Sequence, residues 1–528
     1  MSGRLLHELL EASAEAGPDR LAVVDGRRTL TYGELERRAN VLGRLLQEQG
    51  VQRGDRVGLF LDKSLESLVG IYGVLKSGAT YVPFDPNAPL ARLGYIARDA
   101  DIRCLLTAGE KAQDWDGLRE GGAPLESLVV LNATEREPVP APEGVRVVSF
   151  PAALGAYAES PPPMRIDDSD LAYILYTSGS TGDPKGVMLS HLNARAFVDW
   201  AVDEFDVSAG DRLSSHAPLH FDLSVFDLFA AAAAGAPVVL VPPELSIFPV
   251  NLAGFIAESE ISVWYSVPSI LTLLVTRGDL GAMELPSLRA VLFAGEVFPT
   301  KYLFRLMELL PHVRFANLYG PTETNVCTWY EVPPSPEGRP DAIPIGKPIT
   351  DVDVFAVTDD GRLAGAGEVG ELCVRGPTVM HGYWGDQERT ARAFLEEDGT
   401  GAAGGGRAYR TGDLVKEDPE GNYWYLGRRD AQIKSRGYRI ELGEIEAALY
   451  AHPSVLECAV TTIPDDLVGN RIKAYVVVRD DLGETDLAAF CSKRIPHYMV
   501  PEAFEFRPEL PKTSTGKVDR KALSVEGA

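Results

Sequence analysis

The sequence predicts an α/β fold: a large N-terminal domain of parallel-rich sheets covered by helices, with a small α+β unit at the C-terminal end. Two observations carry the prediction. Short apolar runs alternate along most of the chain with segments of helical period, the rhythm of parallel strands joined by covering helices. After the Gly-rich stretch DGTGAAGGGRA at 398–408 the composition turns more charged, and GRRDAQIKSRGYRIELGEIEAAL at 427–449 reads as a turn, a strand and then a helix. A unit beginning there would hold roughly a hundred residues, enough for a core of its own. The 528 residues of the chain are too many for one ordinary core.

The elements follow in order. TYGELERRANVLGRLLQEQG opens with the capping box Thr31-x-x-Glu34, sets Leu35, Ala39, Leu42, Leu45 and Leu46 on one helical face, and stops at Gly50. DRVGLFL is then a strand, ESLVGIYGVLKSG a helix and TYVPFD a strand. Pro-rich text at 137–163 and the Gly-rich stretch at 398–408 read as surface loops. LAYILY is a strand ending at Tyr176, and APVVLV, ISVWYSV, RAVLFAG and RFANLYG are later strands separated by helix-like segments. No repeat of fixed period is visible.

Composition excludes several classes. A formal charge of −25 with no long basic run argues against a nucleic-acid partner, because neutralising phosphates needs clustered Lys and Arg. The five cysteines (Cys104, Cys327, Cys373, Cys458, Cys491) form no C-x-x-C pair, so neither a zinc site nor a disulfide framework is expected. The N-terminus carries acidic residues where a signal peptide needs an apolar core. The most apolar stretch, FAAAAAGAPVVLVPP at 229–243, is broken by Gly and Pro below spanning length. The reading is a cytoplasmic protein with no membrane partner.

YTSGSTGDPKGV at 176–187 looks like a phosphate cradle but fails the Walker A spacing. It follows a strand, and ligands of open α/β sheets bind at the carboxyl ends of strands. Thr177, Ser178, Gly179, Ser180, Thr181 and Gly182 offer backbone N–H groups and hydroxyls to an anion, with Lys185 close behind. This loop resembles the signature of the adenylate-forming superfamily, which includes acyl-CoA synthetases, luciferases and the amino-acid adenylation domains of non-ribosomal peptide synthesis. The resemblance continues in order through LTYGEL (30–35), LKSGATYVPFDP (75–86), FDLSVFDLF (221–229), NLYGPTET (317–324), GELCVRGPTVMHGYW (370–384), YRTGDL (409–414), GRRDAQIKSRGYRIELGEIE (427–446), IPHYMVP (495–501) and PKTSTGKVDR (511–520).

The resemblance implies a reaction: an acyl-adenylate is made from ATP and a carboxylate, and the acyl group then passes to a thiol. The loop would hold the phosphates that leave as pyrophosphate. Lys517 matches the catalytic lysine that bridges the substrate carboxylate and the phosphate or ribose oxygens. Glu323 matches the Mg²⁺ ligand, and magnesium suits one or two carboxylates completed by phosphate and water. Tyr319 would stack on adenine, Thr322 and Thr324 would lie beside the α-phosphate, and Asp413 would accept from the ribose hydroxyls. Arg428 would reach the ribose and phosphate region, and Asn317 and Gly320 complete the nucleotide set. Asp430 matches the hinge, dividing the chain into 1–429 and 430–528. Rotation there would bring the segment from Lys434 to Gly437 toward the acyl group after adenylation.

Asp222 in FDLSVFDLF matches the aspartate that pairs with the α-ammonium of amino-acid substrates; as an alternative it would cap the helix that follows. The specificity positions transfer as Asp222, Leu223, Phe226, Tyr265, Leu292, Ala294, Leu318, Val326 and Cys327, with Gly295 beside them and Lys517 closing the set. The lining is otherwise apolar and bulky, which implies a small neutral amino acid, proline first and alanine or a relative second, as in the prolyl-adenylating enzymes of natural-product pathways. The partner implied is a separate carrier protein bearing phosphopantetheine. An acyl-CoA synthetase acting on a plain carboxylic acid is the alternative, with Asp222 against it. Amide formation from the same adenylate is a further one.

Overall fold

The computed structural model of the chain describes residues 5–133, 143–179, 182–334, 342–395, 406–429, 432–465, 467–479, 482–512, 518 and 523. The first expected helix spans Tyr32–Glu48 and its capping box is formed: Glu34 N donates to Thr31 Oγ1 at 3.2 Å while Thr31 N donates to Glu34 Oε2 at 2.9 Å. Leu35, Ala39, Leu42, Leu45 and Leu46 are buried on its inner face. Each buried leucine contributes about 1.5–3 kcal/mol, so this face, rather than the intrinsic preference of the segment, holds the helix in place.

Two mixed sheets carry the large unit. In one, the strands Leu171–Thr177, Thr80–Pro83, Arg56–Phe60, Cys104–Thr107, Ser127–Val130 and Arg146–Ser149 run parallel, and Lys185–Ser190 and Gly382–Tyr383 extend the edge antiparallel. In the other, Arg314–Tyr319, Ala290–Phe293, Val263–Ser266, Leu213–Ser215, Val238–Leu240 and Leu21–Asp25 form the parallel centre. The helices Leu6–Ala16, Tyr32–Glu48, Leu65–Ser77 and His191–Glu204 share one apolar core with residues of both sheets. Parallel strands from both sheets therefore end at one cleft, with 171–177, 263–266, 290–293 and 314–319 each delivering a loop to it.

The structure adds features that the alternating pattern did not suggest. A third, antiparallel sheet joins Asp353–Val357, Val369–Arg375, Ala408–Glu417, Phe394–Leu395 and Tyr423–Arg428. The stretch read as one strand after the turn is a hairpin, Gln432–Ser435 paired with Tyr438–Glu441, turning through Arg436 and Gly437 at positive φ. The helix Leu442–Tyr450 follows, with a three-stranded sheet, and these enclose a separate apolar cluster around Ile440, Ile445, Leu449 and Val460. Part of the Pro-rich text is ordered as the strand Arg146–Ser149 and the short helix Phe150–Ala153, and the strand expected to end at Tyr176 runs to Thr177. No helix among the described residues is long and apolar enough to cross a membrane.

Candidate active site

The strand Leu171–Thr177 hands its last residue directly to the glycine-rich loop, and the antiparallel register sets Lys185 opposite Thr177. The two stems of the loop thus present a hydroxyl and an ammonium at one sheet edge. Thr177 Oγ1 is buried with no hydrogen-bond partner among the described residues, and Ser178 Oγ donates to the carbonyl of Arg439 at 2.7 Å. Ser180 and Thr181 lie outside the described residues, as do Lys517 and Asp430.

Glu323 is fully buried and is the negative centre of the cleft. Lys185 Nζ lies 3.2 Å from one carboxylate oxygen, Arg439 Nη1 lies 2.6 Å from the other, and Tyr383 OH donates at 2.8 Å. Burial alone would push this carboxyl up, but Arg439 and then Lys185 outweigh it and hold the group well below the usual carboxylate range. Burial, reinforced by Arg439, pushes the Lys185 ammonium down to about 8 against the pull of Glu323. Two cations on one carboxylate leave a local positive surplus, the electrostatic condition for holding a further anion.

Asp413 comes from the antiparallel sheet. It accepts a short hydrogen bond from Tyr319 OH and an ion pair from Arg428 at 2.6 Å. Asn317 is tied by its side-chain amide to the Pro344 carbonyl at 2.9 Å, which fixes the strand that delivers Tyr319. Gly320 leaves no room for a side chain, since a Cβ there would sit 1.5 Å from the Asn325 carbonyl oxygen.

Two adjoining cavities open on this framework. The smaller, of about 100 Å³, is lined by Asp222, Leu223, Tyr265, Ala294, Gly295, Thr322 and Val326 among others. The larger, of about 520 Å³, lies between the loop Gly295–Pro299, the strand end at Asn317–Tyr319 and the C-terminal unit at Ile433, Pro464 and Asn470. Gly295, Arg428, Gln432 and Lys434 line both, so Lys434 stands where the two meet.

Asp222 precedes the helical turn Leu223–Val225 but makes no side-chain capping bond, and its own backbone is already helical. Its carboxyl is pushed up by burial, with a hydrogen bond from Thr322 and the charge of Lys434 pulling it back. Of the transferred specificity positions, Leu223, Tyr265, Ala294 and Val326 line the small cavity, and Leu318 faces the larger one. Phe226, Leu292 and Cys327 do not line either; they are buried one layer behind, with Phe226 edge-on to the Tyr265 ring at 5.5 Å. Thr324 is also outside both cavities. Its hydroxyl is spent on the carbonyls of Pro321 and Asn325, which leaves Thr322 as the threonine of that loop facing the cleft.

Several residues at the cleft were not singled out by sequence reasoning. Glu296 accepts the N–H of Gly437 at 2.5 Å and that of Ser269 at 3.0 Å, pinning the hairpin turn to the large unit. Gly437 has φ +81 and a Cβ would meet Val267 at 2.5 Å, so only glycine allows this approach. Tyr438 stacks on Tyr498 at 3.6 Å and meets Phe221 edge-on at 4.9 Å. Arg92 pairs with Glu444 across the same boundary. Arg439 and Glu444 lie inside the quoted motif YRIELGEIE, where a strand and helix reading accounts for them without a charge partner.

Comparison with known proteins identifies the family. The family described as AMP-binding enzyme matches residues 10–384, and its C-terminal domain matches residues 444–517. An L-proline–[L-prolyl-carrier protein] ligase from Pseudomonas fluorescens is 41% identical over 99% of this chain and 100% of that one. One of the same name from Streptomyces coelicolor is 38% identical over 95% and 93%. A solved adenylation domain, AlmE from Vibrio cholerae in complex with glycyl-adenosine-5'-phosphate, matches with TM-score 0.84 at 25% identity over 99% of this chain and 97% of that one. The chain belongs to the AMP-binding enzyme family.

Proposed function

We propose that the enzyme activates a small neutral amino acid, proline first and alanine or a similar one second, and loads it onto a separate carrier protein. A carboxylate oxygen of the amino acid attacks the α-phosphorus of ATP, the bond to the bridging oxygen breaks, and pyrophosphate leaves. The phosphopantetheine sulfur then attacks the acyl carbon, and AMP leaves as the thioester forms. The first step brings two anions together, so fixed cations and oriented donors must offset their repulsion. Thr177, Ser178 and Lys185 hold the departing phosphates, Thr322 flanks the α-phosphate, and Lys517 bridges the reacting oxygens. Asp413 accepts from the ribose and Tyr319 packs on adenine.

Glu323 fits a magnesium ion. Among the described residues no group of three or more His, Cys, Asp or Glu is placed to hold a metal, so a cation here would draw its other ligands from phosphate and water, as magnesium does. Bound there, it would neutralise charge on the phosphates. Asp430 is the hinge between 1–429 and 430–528, and Lys434 at the junction of the cavities belongs to the arrangement for transfer.

The observation that carries the substrate class is Asp222, a buried carboxylate at the wall of the small cavity with no capping bond to occupy it and with Lys434 on the same wall. A desolvated carboxylate needs a cationic partner, and an α-ammonium supplies one. The two full-length relatives named for L-proline support proline as the first choice. The test is ATP–pyrophosphate exchange across the common L-amino acids, with D-alanine and plain carboxylic acids included. Proline should give the highest kcat/KM. Exchange driven best by an acid without an ammonium would replace this reading with that of an acyl-CoA synthetase.

A further inference from the structure

The segment that carries Asp222 is gripped at both of its stems by one cation from the other sheet. Lys63 lies between the strand Arg56–Phe60 and the helix Leu65–Ser77, and Ser64 beside it caps that helix through a reciprocal pair of hydrogen bonds with Ser67 at 3.0 and 3.3 Å. From this rigid base the Lys63 ammonium donates to three consecutive carbonyls of the second sheet: Ser215 at the end of the strand Leu213–Ser215, His216 at 3.0 Å and Ala217 at 3.4 Å. These carbonyls use every N–H that an ammonium has. Beyond Asp222, in the π-turn Phe226–Ala230, the Asp227 carboxyl is fully buried and neither of its oxygens is hydrogen-bonded among the described residues. Burial pushes this carboxyl up, and the charge of Lys63 opposes it. Burial in turn pushes the Lys63 ammonium down to about 8, with Asp227 pulling it back, so the cation persists at neutral pH. The hydrogen bonds of Lys63 thus serve one stem and its charge the other, with Asp222, Leu223 and Phe226 between them.

We propose that Lys63 is a positioning residue for amino-acid recognition, with Asp227 as the counter-charge that keeps it seated. Together they fix the segment 215–227 so that the Asp222 carboxylate stands where the substrate ammonium arrives. The inference rests on the reading of Asp222 as the partner of that ammonium. Neither Lys63 nor Asp227 lines either cavity, so both act through the segment and not on the substrate. Placement matters because a misplacement of about 1 Å at a site group can cost on the order of a hundredfold. An apolar side chain would fill the Asp227 site at lower cost than a carboxylate without hydrogen bonds, so the charge itself is what the site uses. Because Lys63 comes from one sheet and the gripped segment from the other, the same contact also fixes how the two sheets meet beneath the cleft.

The test assays full-length variants by pyrophosphate exchange with proline and with cyclopentanecarboxylate, which has no ammonium to recognise. Lys63→Met removes the charge and all of its hydrogen bonds. The kcat/KM for proline should fall on the order of tenfold or more, chiefly through KM, with a clearly smaller loss for cyclopentanecarboxylate and a KM for ATP near wild type. Asp227→Asn should move the ratio of proline to cyclopentanecarboxylate in the same direction by less. The double variant should lose no more than Lys63→Met alone, because the two residues act through one grip. Where Lys63→Met fails to fold around the stranded Asp227, the double variant, which holds neither charge, carries the same comparison. A wild-type ratio in folded Lys63→Met or in the double variant, or parallel losses for both acids and ATP, would overturn the proposal. Failure of the underlying reading shows separately, as a wild-type enzyme that activates cyclopentanecarboxylate as well as proline.

Discussion

The Asp222 cavity and the Glu323 cluster face the same cleft and are built on opposite terms. The first is walled largely by loops and strand ends of the large unit and contains a buried carboxylate whose pKa is raised despite the charge of Lys434. The second has one carboxylate served by two cations, of which Arg439 comes from the C-terminal unit. On the proposed reading, recognition of the amino acid would rest chiefly on the packed framework of the large unit, whereas the phosphate side draws one of its two cations from the C-terminal unit. The two centres adjoin: Thr322, which lines the Asp222 cavity, is the chain neighbour of Glu323, and Arg439, which pairs with Glu323, lines the same cavity.

The largest effect is expected on the phosphate side. Glu323→Gln leaves Lys185 and Arg439 without their counter-charge and removes the carboxylate proposed to hold magnesium. If Glu323 holds magnesium as proposed, pyrophosphate exchange should fall on the order of 10²- to 10³-fold, chiefly in kcat. Proline affinity measured without nucleotide should hold. An equal loss of proline affinity would show that the Thr322 link makes the two centres one unit.

Asp222→Asn attacks the fixed side. An ammonium bound without its counter-charge costs about 3–5 kcal/mol by analogy with broken buried pairs, a few hundredfold in kcat/KM for proline or alanine. Cyclopentanecarboxylate and propionate, which carry no ammonium, should gain relative to them in the same variant. A parallel fall for all four acids would make Asp222 a structural residue and remove the main support for the amino-acid class.

Much of this was legible in the sequence, and the misses have physical causes. Thr31 and Glu34 announce a helix through local hydrogen bonding, and the quoted loops place Thr177, Asp413 and Asp222 on the cleft. The hairpin at Ser435–Tyr438 was missed because its turn rests on αL geometry at Arg436, which a β-propensity reading passes over. Phe226, Leu292 and Cys327 were carried over as lining, but side-chain depth is set by packing, and they fall behind Tyr265 and Ala294. The helical segment that holds Phe226 also contains a π-turn, Phe226–Ala230, that buries Asp227 with neither oxygen hydrogen-bonded among the described residues, which no apolar periodicity foretells. The contacts of Arg439 and Glu444 depend on how the two units meet, a long-range property that local pattern does not encode.

A size change sharpens the fixed side further. Ala294 is buried at the wall of the small cavity, so Ala294→Val adds bulk where proline's ring would lie. Discrimination should shift from proline toward alanine or glycine by about 1–3 kcal/mol, roughly ten- to two-hundredfold in relative kcat/KM. Unchanged preference would place the ring elsewhere, and the phosphate side should not respond at all.

The smallest effect is the pH dependence of recognition, and its sign follows from the surroundings of Asp222. Burial raises its carboxyl pKa and Glu323 adds to this, while Thr322, Lys434 and the Leu223 N–H pull the other way, with a net rise. The protonated, neutral form therefore persists to higher pH than in an ordinary aspartate, and a neutral carboxyl has no charge to offer an ammonium. The kcat/KM for proline, which reports the free enzyme, should decline as pH falls through that raised value, by about tenfold per pH unit once below it, and level off above. Cyclopentanecarboxylate, after correction for its own ionisation, should lack this limb in wild type, and proline should lack it in Asp222→Asn. A limb that survives in the Asn variant would belong to another group, and a limb at the position of an ordinary aspartate would mean that the cavity stays hydrated around Asp222 in the open enzyme. The phosphate-side contacts need no such titration to form, so an acid limb confined to amino-acid substrates separates the two centres even where both remain intact.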